Sequence, residues 1–72
     1  MKIEVYGDPH CAGCIQADVL LKARGIPYEK KSVMELLDVM PGAKQIPQVF
    51  IDDEHVGGFD QLKAHLDKQS EI

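Results

Sequence analysis

Polar and apolar residues alternate through Lys2-Ile3-Glu4-Val5-Tyr6, the period of a strand, until Gly7-Asp8-Pro9 breaks the run. From Cys11 the period lengthens to that of a helix. Ile15, Val19 and Leu20 recur on one predicted face, and Leu21 and Ala23 widen it. Arg24-Gly25 closes this helix, because a cation in the last turn and a glycine just beyond it satisfy orphan carbonyls. Ile26-Pro27-Tyr28-Glu29-Lys30-Lys31 resumes an extended run, with Pro27 early enough to cost no ladder bond. Ser32-Val33-Met34-Glu35 has the spacing of a capping box. It opens a short helix through Leu36, Leu37 and Met40 that Pro41-Gly42 ends.

Gln48-Val49-Phe50-Ile51 is a compact apolar strand, and Asp52-Asp53-Glu54 turns it back into His55-Val56, ended by Gly57-Gly58. Phe59-Asp60 opens the last helix, with Asp60 as its expected N-cap and Leu62 and Leu66 on its apolar face. The element order βαβαββα implies an α/β domain in which a mixed four-stranded sheet is flanked by three helices. Its first two strands, joined by a right-handed crossover, run parallel, and the last two form a hairpin. Tyr6, Leu20, Leu36, Leu37, Phe50 and Leu62 are the expected core, and Met34 and Met40 are expected to pack the second helix.

Length and composition narrow the classes. Seventy-two residues, 44% hydrophobic and 28% charged, describe one small globular domain over 1–72. No apolar run approaches a membrane span, and Met1-Lys2-Ile3-Glu4 does not read as a signal peptide, so a cytoplasmic protein is expected. A net charge of −4, with lysines and arginine scattered, argues against a nucleic-acid partner. The acidic triplet at 52–54 is read as a solvated turn, with cation binding the alternative.

The chemistry sits in His10-Cys11-Ala12-Gly13-Cys14, which holds the chain's 2 cysteines. A strand that delivers a Cys-x-x-Cys to a helix start places a sulfur among unpaired backbone N–H groups at the positive end of the helix dipole. Such sites lower a thiol pKa from about 8.5 to roughly 3.5–7.5. The spacing therefore predicts an attacking Cys11 near the N-cap, within reach of the amides of Gly13 and Cys14, and a resolving Cys14 in the first turn. As a structural staple the pair is weak, since so short a loop barely constrains the unfolded chain. The two cysteines also have the spacing of half a zinc site beside His10. The further ligands would have to be His55 and His65, which nothing in the pattern brings near, so no metal is expected. A haem-attachment motif is excluded because Ile15 follows Cys14.

Three blocks in this order, Cys11-Ala12-Gly13-Cys14, Lys44-Gln45-Ile46-Pro47-Gln48-Val49-Phe50-Ile51 and Val56-Gly57-Gly58-Phe59-Asp60, resemble a glutaredoxin of the thioredoxin-fold superfamily essentially end to end. The resemblance implies a thioredoxin-like fold and a glutathione-dependent thiol–disulfide oxidoreductase. Such an enzyme reduces protein disulfides and glutathione mixed disulfides through Cys11 and Cys14. It implies that the proline matching Pro47 is cis and faces the first cysteine, exposing the backbone of Ile46 to an extended ligand. Glutathione is then held at its γ-glutamyl end by Gly58, Phe59 and Asp60 and at its glycine carboxylate by Lys44, with His10 and Gln45 flanking the same groove. A monomer acting on disulfide-bearing or glutathionylated proteins is expected. Two variants stay open: a redoxin fed by thioredoxin reductase that serves ribonucleotide reductase, and a dimer bridging a [2Fe–2S] cluster, which Ala12 in place of the family's usual proline makes conceivable. Where many members carry a lysine before the first cysteine this chain has Asp8-Pro9-His10. The aspartate disfavours a thiolate, and a protonated His10 favours one.

Overall fold

Two short parallel strands and a hairpin share one sheet in this computed structural model, which describes residues 2–70. The order along the sheet is β2-β1-β3-β4. Strand β1 (Ile3–Tyr6) pairs parallel with β2 (Glu29–Lys31) and antiparallel with β3 (Gln48–Ile51), and β3 pairs antiparallel with β4 (Glu54–Gly57). The expected mixed sheet with its three helices, α1 (Ala12–Ala23), α2 (Val33–Val39) and α3 (Phe59–Ser70), is thus present in the expected order.

All four residues of β1 are buried, because helices cover the central strand on both faces. Ile3 and Val5 join Ala17, Leu21, Val49, Ile51, Leu62 and Leu66 in the main core beneath α1 and α3. Glu4 and Tyr6 point the other way, toward α2. Tyr6 there packs edge-on against Phe50, with ring centroids 5.4 Å apart, and the Glu4 carboxylate lies 3.9 Å from the Lys2 ammonium. The hairpin turns through Asp52 and Asp53, both at positive φ (52° and 67°), the two-residue geometry whose twist matches antiparallel strands. The acidic turn is tied to the strand before it: the Asp52 carboxylate accepts the Lys2 N–H at 2.8 Å, and Lys2 Nζ lies 3.5 Å from Asp53.

Helix ends follow the local sequence. Helix α1 stops in a Schellman motif: Gly25 (φ 67°) donates to Lys22 and Ile26 donates to Leu21. Ser32 caps α2, its Oγ accepting the Glu35 N–H at 3.1 Å, while the Glu35 carboxylate accepts from the Ser32 hydroxyl rather than from its backbone amide. At α3 the expected Asp60 cap gives way to Gly58. Its carbonyl accepts the Leu62 N–H, and its own N–H donates to the Gln61 side chain at 2.9 Å. Gln61 stands three residues after the cap, where a capping box places its returning side chain.

Two packing expectations are corrected. The buried face of α1 is Cys14, Ala17 and Leu21, whereas Ile15 and Val19 are 48% and 61% exposed. The helix carries more apolar positions than one face can bury, and fully buried Ala17 is small enough to let that face close on the sheet. On α2, a seven-residue helix, Leu36 is buried, but Leu37 is exposed and Met34 is 76% exposed. One and a half to two turns can present a single residue squarely to the sheet.

Candidate active site

Strand β1 runs into the site. After Tyr6 the Gly7 N–H donates to Lys31 of β2, which holds the chain to the sheet for one residue more. Asp8 then builds the turn: its carboxylate accepts the His10 N–H at 2.8 Å, and its carbonyl accepts the Cys11 N–H at 3.1 Å. That delivers Cys11 to the N-cap of α1 with extended backbone (φ −85°, ψ 124°).

The Cys11 sulfur takes the place a serine or aspartate oxygen usually fills. It accepts the Cys14 N–H at 3.4 Å and is half-buried. Its pKa lies below that of an ordinary thiol, chiefly because the Cys14 thiol hydrogen-bonds to it and also because the amides of Cys14 and Gly13 point at it. Partial burial and the Asp8 carboxylate oppose the shift. Cys14 lies under the opposite influence: it is buried, and burial together with its bond to Cys11 pushes its thiol up to about 11. Both thiols are free.

The loop before β3 closes the site from the other side. The Ile46–Pro47 peptide is cis, and the Ile46 carbonyl lies 3.7 Å from the Cys11 sulfur. Gly13 lies flat on the buried Pro47 ring, where a Cβ would come within 3.0 Å of Pro47 Cδ. A groove of about 420 Å³ leads away from this point. Gln45, Ile46, Pro47, Gly58, Phe59 and Asp60, all singled out from the sequence, line it together. Two expected residues stand apart. Lys44 is exposed and lines an adjoining hollow that shares Gln45 and Ile46 with the groove, and His10 is exposed on the turn before Cys11.

Other participants escaped the sequence reading. Gln16, Gln48 and Gln61 complete the groove, which carries one carboxylate, Asp60, and no cation. Gln61 had a signal in its capping spacing from Gly58, and Gln48 had one in adjoining Pro47. Gln16 had none, since it reaches the groove only through the turn of α1. A second cavity, of about 450 Å³, lies on the Cys14 side and is bordered by Gly7, Asp8, Asp18 and Lys30. Asp18 there accepts hydrogen bonds from the Tyr28 hydroxyl at 2.9 Å and pairs with Lys30 at 2.8 Å. Among the described residues no three His, Cys, Asp or Glu side chains gather as metal ligands, and no helix is long and apolar enough to cross a membrane.

Comparison with known proteins gives a consistent result. A family model described as Glutaredoxin matches residues 3–56. A probable glutaredoxin of Synechocystis sp. is 36% identical over 70 residues, spanning 88% of this chain and 80% of that protein. Among solved structures, glutaredoxin 1 of Francisella tularensis, crystallised with cacodylate, superposes with a TM-score of 0.79 at 28% identity, covering 99% of this chain and 98% of the other. A buckwheat glutaredoxin–glutathione complex shares the fold, with a TM-score of 0.73 at 24% identity over 93% of this chain and 70% of its own.

Proposed function

Since this chain belongs to the glutaredoxin family and is thereby a thiol–disulfide oxidoreductase, we propose that Cys11 and Cys14 carry its chemistry and that glutathione supplies the electrons. The observation that carries this reading is the position of one sulfur. Cys11 stands half-exposed at the N-cap of α1, favoured as a thiolate, with its sulfur 3.7 Å from the carbonyl of Ile46, a residue that lines a groove of the right size for a small ligand.

In the proposed reaction the Cys11 thiolate attacks the glutathione sulfur of a mixed disulfide and releases the substrate thiol. Cys14 or a second glutathione then resolves the adduct. With a protein disulfide, Cys11 forms the mixed disulfide to the protein and Cys14 closes on it. The tripeptide is proposed to lie along Gln45, Ile46 and Pro47, with its γ-glutamyl end at Gly58, Phe59 and Asp60. The Asp60 carboxylate supports a positive amino group there, and Lys44, beside the shared Ile46, supports the glycine carboxylate. His10 flanks the sulfur. The buckwheat relative, described as a glutathione complex, supports the choice of ligand.

Glutathionylated peptide turnover tests the proposal, with glutathione and glutathione reductase in one arm and thioredoxin reductase in the other. Turnover in the first arm is expected. Turnover in the second arm alone sinks the glutathione reading and favours the redoxin reading instead.

A further inference from the structure

We propose that Gly7 is the positioning residue that keeps the Cys14 sulfur where it can close on Cys11, so that the absence of a side chain at the end of β1 decides between two-cysteine and one-cysteine chemistry. The inference rests on the oxidoreductase reading above and deepens it.

A Cβ built on Gly7 would fall 2.2 Å from Cys14 Sγ and 3.2 Å from Cys14 Cβ. Neither backbone can easily give way. Gly7 donates its N–H to Lys31 at 3.0 Å, so it is part of the sheet. Cys14 is fixed by the first turn of α1, where its N–H is bound to Cys11 and the Cys11 carbonyl accepts from Ile15. The turn cannot slide away either, because Gly13 already rests on Pro47. Relief must come from rotation of the Cys14 side chain, and the cavity of about 450 Å³ that Cys14 and Gly7 both line has room for the displaced sulfur. Moving between staggered rotamers carries a sulfur roughly 3 Å, more than the ~2.05 Å length of the disulfide it must form.

The step at stake is Cys11–S–S–G + Cys14–SH → Cys11–S–S–Cys14 + G–SH. The bond to glutathione breaks, the internal disulfide forms, and the Cys14 proton leaves with the glutathione thiol. When Cys14 is misplaced, the adduct waits for a second glutathione, which restores the Cys11 thiol and departs as oxidised glutathione. The first step, attack by Cys11, loses only the hydrogen bond from the displaced Cys14 thiol and keeps the amides of Cys14 and Gly13 that point at the sulfur.

The test adds oxidised glutathione to reduced protein, quenches at intervals, and separates the glutathione adduct from the internal disulfide by mass. In Gly7→Ala the adduct is expected to form only modestly more slowly, because the displaced thiol no longer hydrogen-bonds to the Cys11 sulfur, and to close roughly 10²-fold more slowly, the scale of loss for a reacting group misplaced by ångströms. Closure at the wild-type rate overturns the proposal, and so does an equal slowing of both steps. If Gly7→Ala does not fold, Gly7→Ala combined with Cys14→Ala decides: recovery of the fold shows that the sulfur is the obstacle, and continued unfolding overturns the proposal. A wild-type protein that forms neither the adduct nor the internal disulfide refutes the glutathione reading instead.

Discussion

Cys11 and Cys14 belong to the same turn of one helix, yet their sulfurs live in opposite environments. The first sits outside the helix barrel at the N-cap, where backbone N–H groups converge and favour charge. The second projects inward beneath Gly7, where burial penalises charge. The contrast follows from helix geometry: a cap residue sees unpaired donors, whereas a residue three positions later has donated its own N–H and lies on the packed face. Two chemically identical side chains thus become one thiol favoured as a thiolate and one held protonated, and the second supports the first through the hydrogen bond from the Cys14 thiol to the Cys11 sulfur.

The largest expected effects come from removing each sulfur in turn. Cys11→Ser lowers turnover of every disulfide substrate to the uncatalysed rate, because a hydroxyl at that N-cap accepts the same amides without becoming a usable nucleophile. Cys14→Ser abolishes reduction of protein disulfides but retains much of the turnover of glutathione mixed disulfides, which a second glutathione can resolve. Steady-state rates on the two substrate types check both, and equal behaviour of the two variants would erase the distinction between the sulfurs.

Alkylation sharpens the same contrast with pH. Iodoacetamide is expected to label Cys11 with a midpoint below that of a free thiol, whereas Cys14 resists until the pH nears 11. The fold favours the protonated form of Cys14, so its stabilising contribution is present below the ordinary thiol pKa and is lost as pH rises toward about 11. Alkaline unfolding followed by circular dichroism should therefore be shallower in Cys14→Ala. A Cys11 midpoint near 8.5 would remove the helix terminus from the account.

How much of this was legible in the sequence differs by residue. The position of Cys11 at the N-cap was legible because its cause is local: a strand break, a Cys-x-x-Cys and a helical period fix an N-cap within five residues. Strand β3 and the Ser32 cap were legible for the same reason. The buried face of α1 was not, because Ile15, Val19, Ala17 and Leu21 are all acceptable in a helix and only the sheet and α3 choose among them. Nor was the α3 cap, where Asp60 is intrinsically the better residue, yet the tight passage from β4 puts Gly58 there and Gln61 back onto it. Gly7 read as a mere strand breaker. Its importance lies in a sulfur seven residues away that no periodicity connects to it.

A smaller effect belongs to the Cys11 side of the comparison. Lys44 is exposed, so its attraction for a carboxylate is worth no more than about 1 kcal/mol. Lys44→Ala is expected to raise the KM for glutathione about two- to fivefold, leaving kcat and thermal stability unchanged. The effect should shrink as ionic strength rises, since the charge is in water. An unchanged KM removes Lys44 from the ligand's path and leaves the groove with amides and Asp60 alone.

The smallest effect tests the Cys14 side. Asp18 lines the cavity beside Cys14 and contributes, after burial and Cys11, to holding that thiol protonated. Burial works to raise the carboxyl's own pKa, yet the hydrogen bonds from Lys30 and Tyr28 carry it below the usual carboxylate range, so it is charged at neutral pH. Asp18→Asn removes the negative charge and leaves the Lys30 ammonium uncompensated, and both changes favour a Cys14 thiolate. The Cys14 alkylation midpoint should therefore fall while remaining above that of an ordinary thiol, because the burial that chiefly raises it is untouched. Lys30→Met should move the midpoint the other way by exposing Cys14 to an unneutralised carboxylate. If both substitutions move it in the same direction, the field of the ion pair is not what separates the second sulfur from the first, and packing under Gly7 alone accounts for the difference.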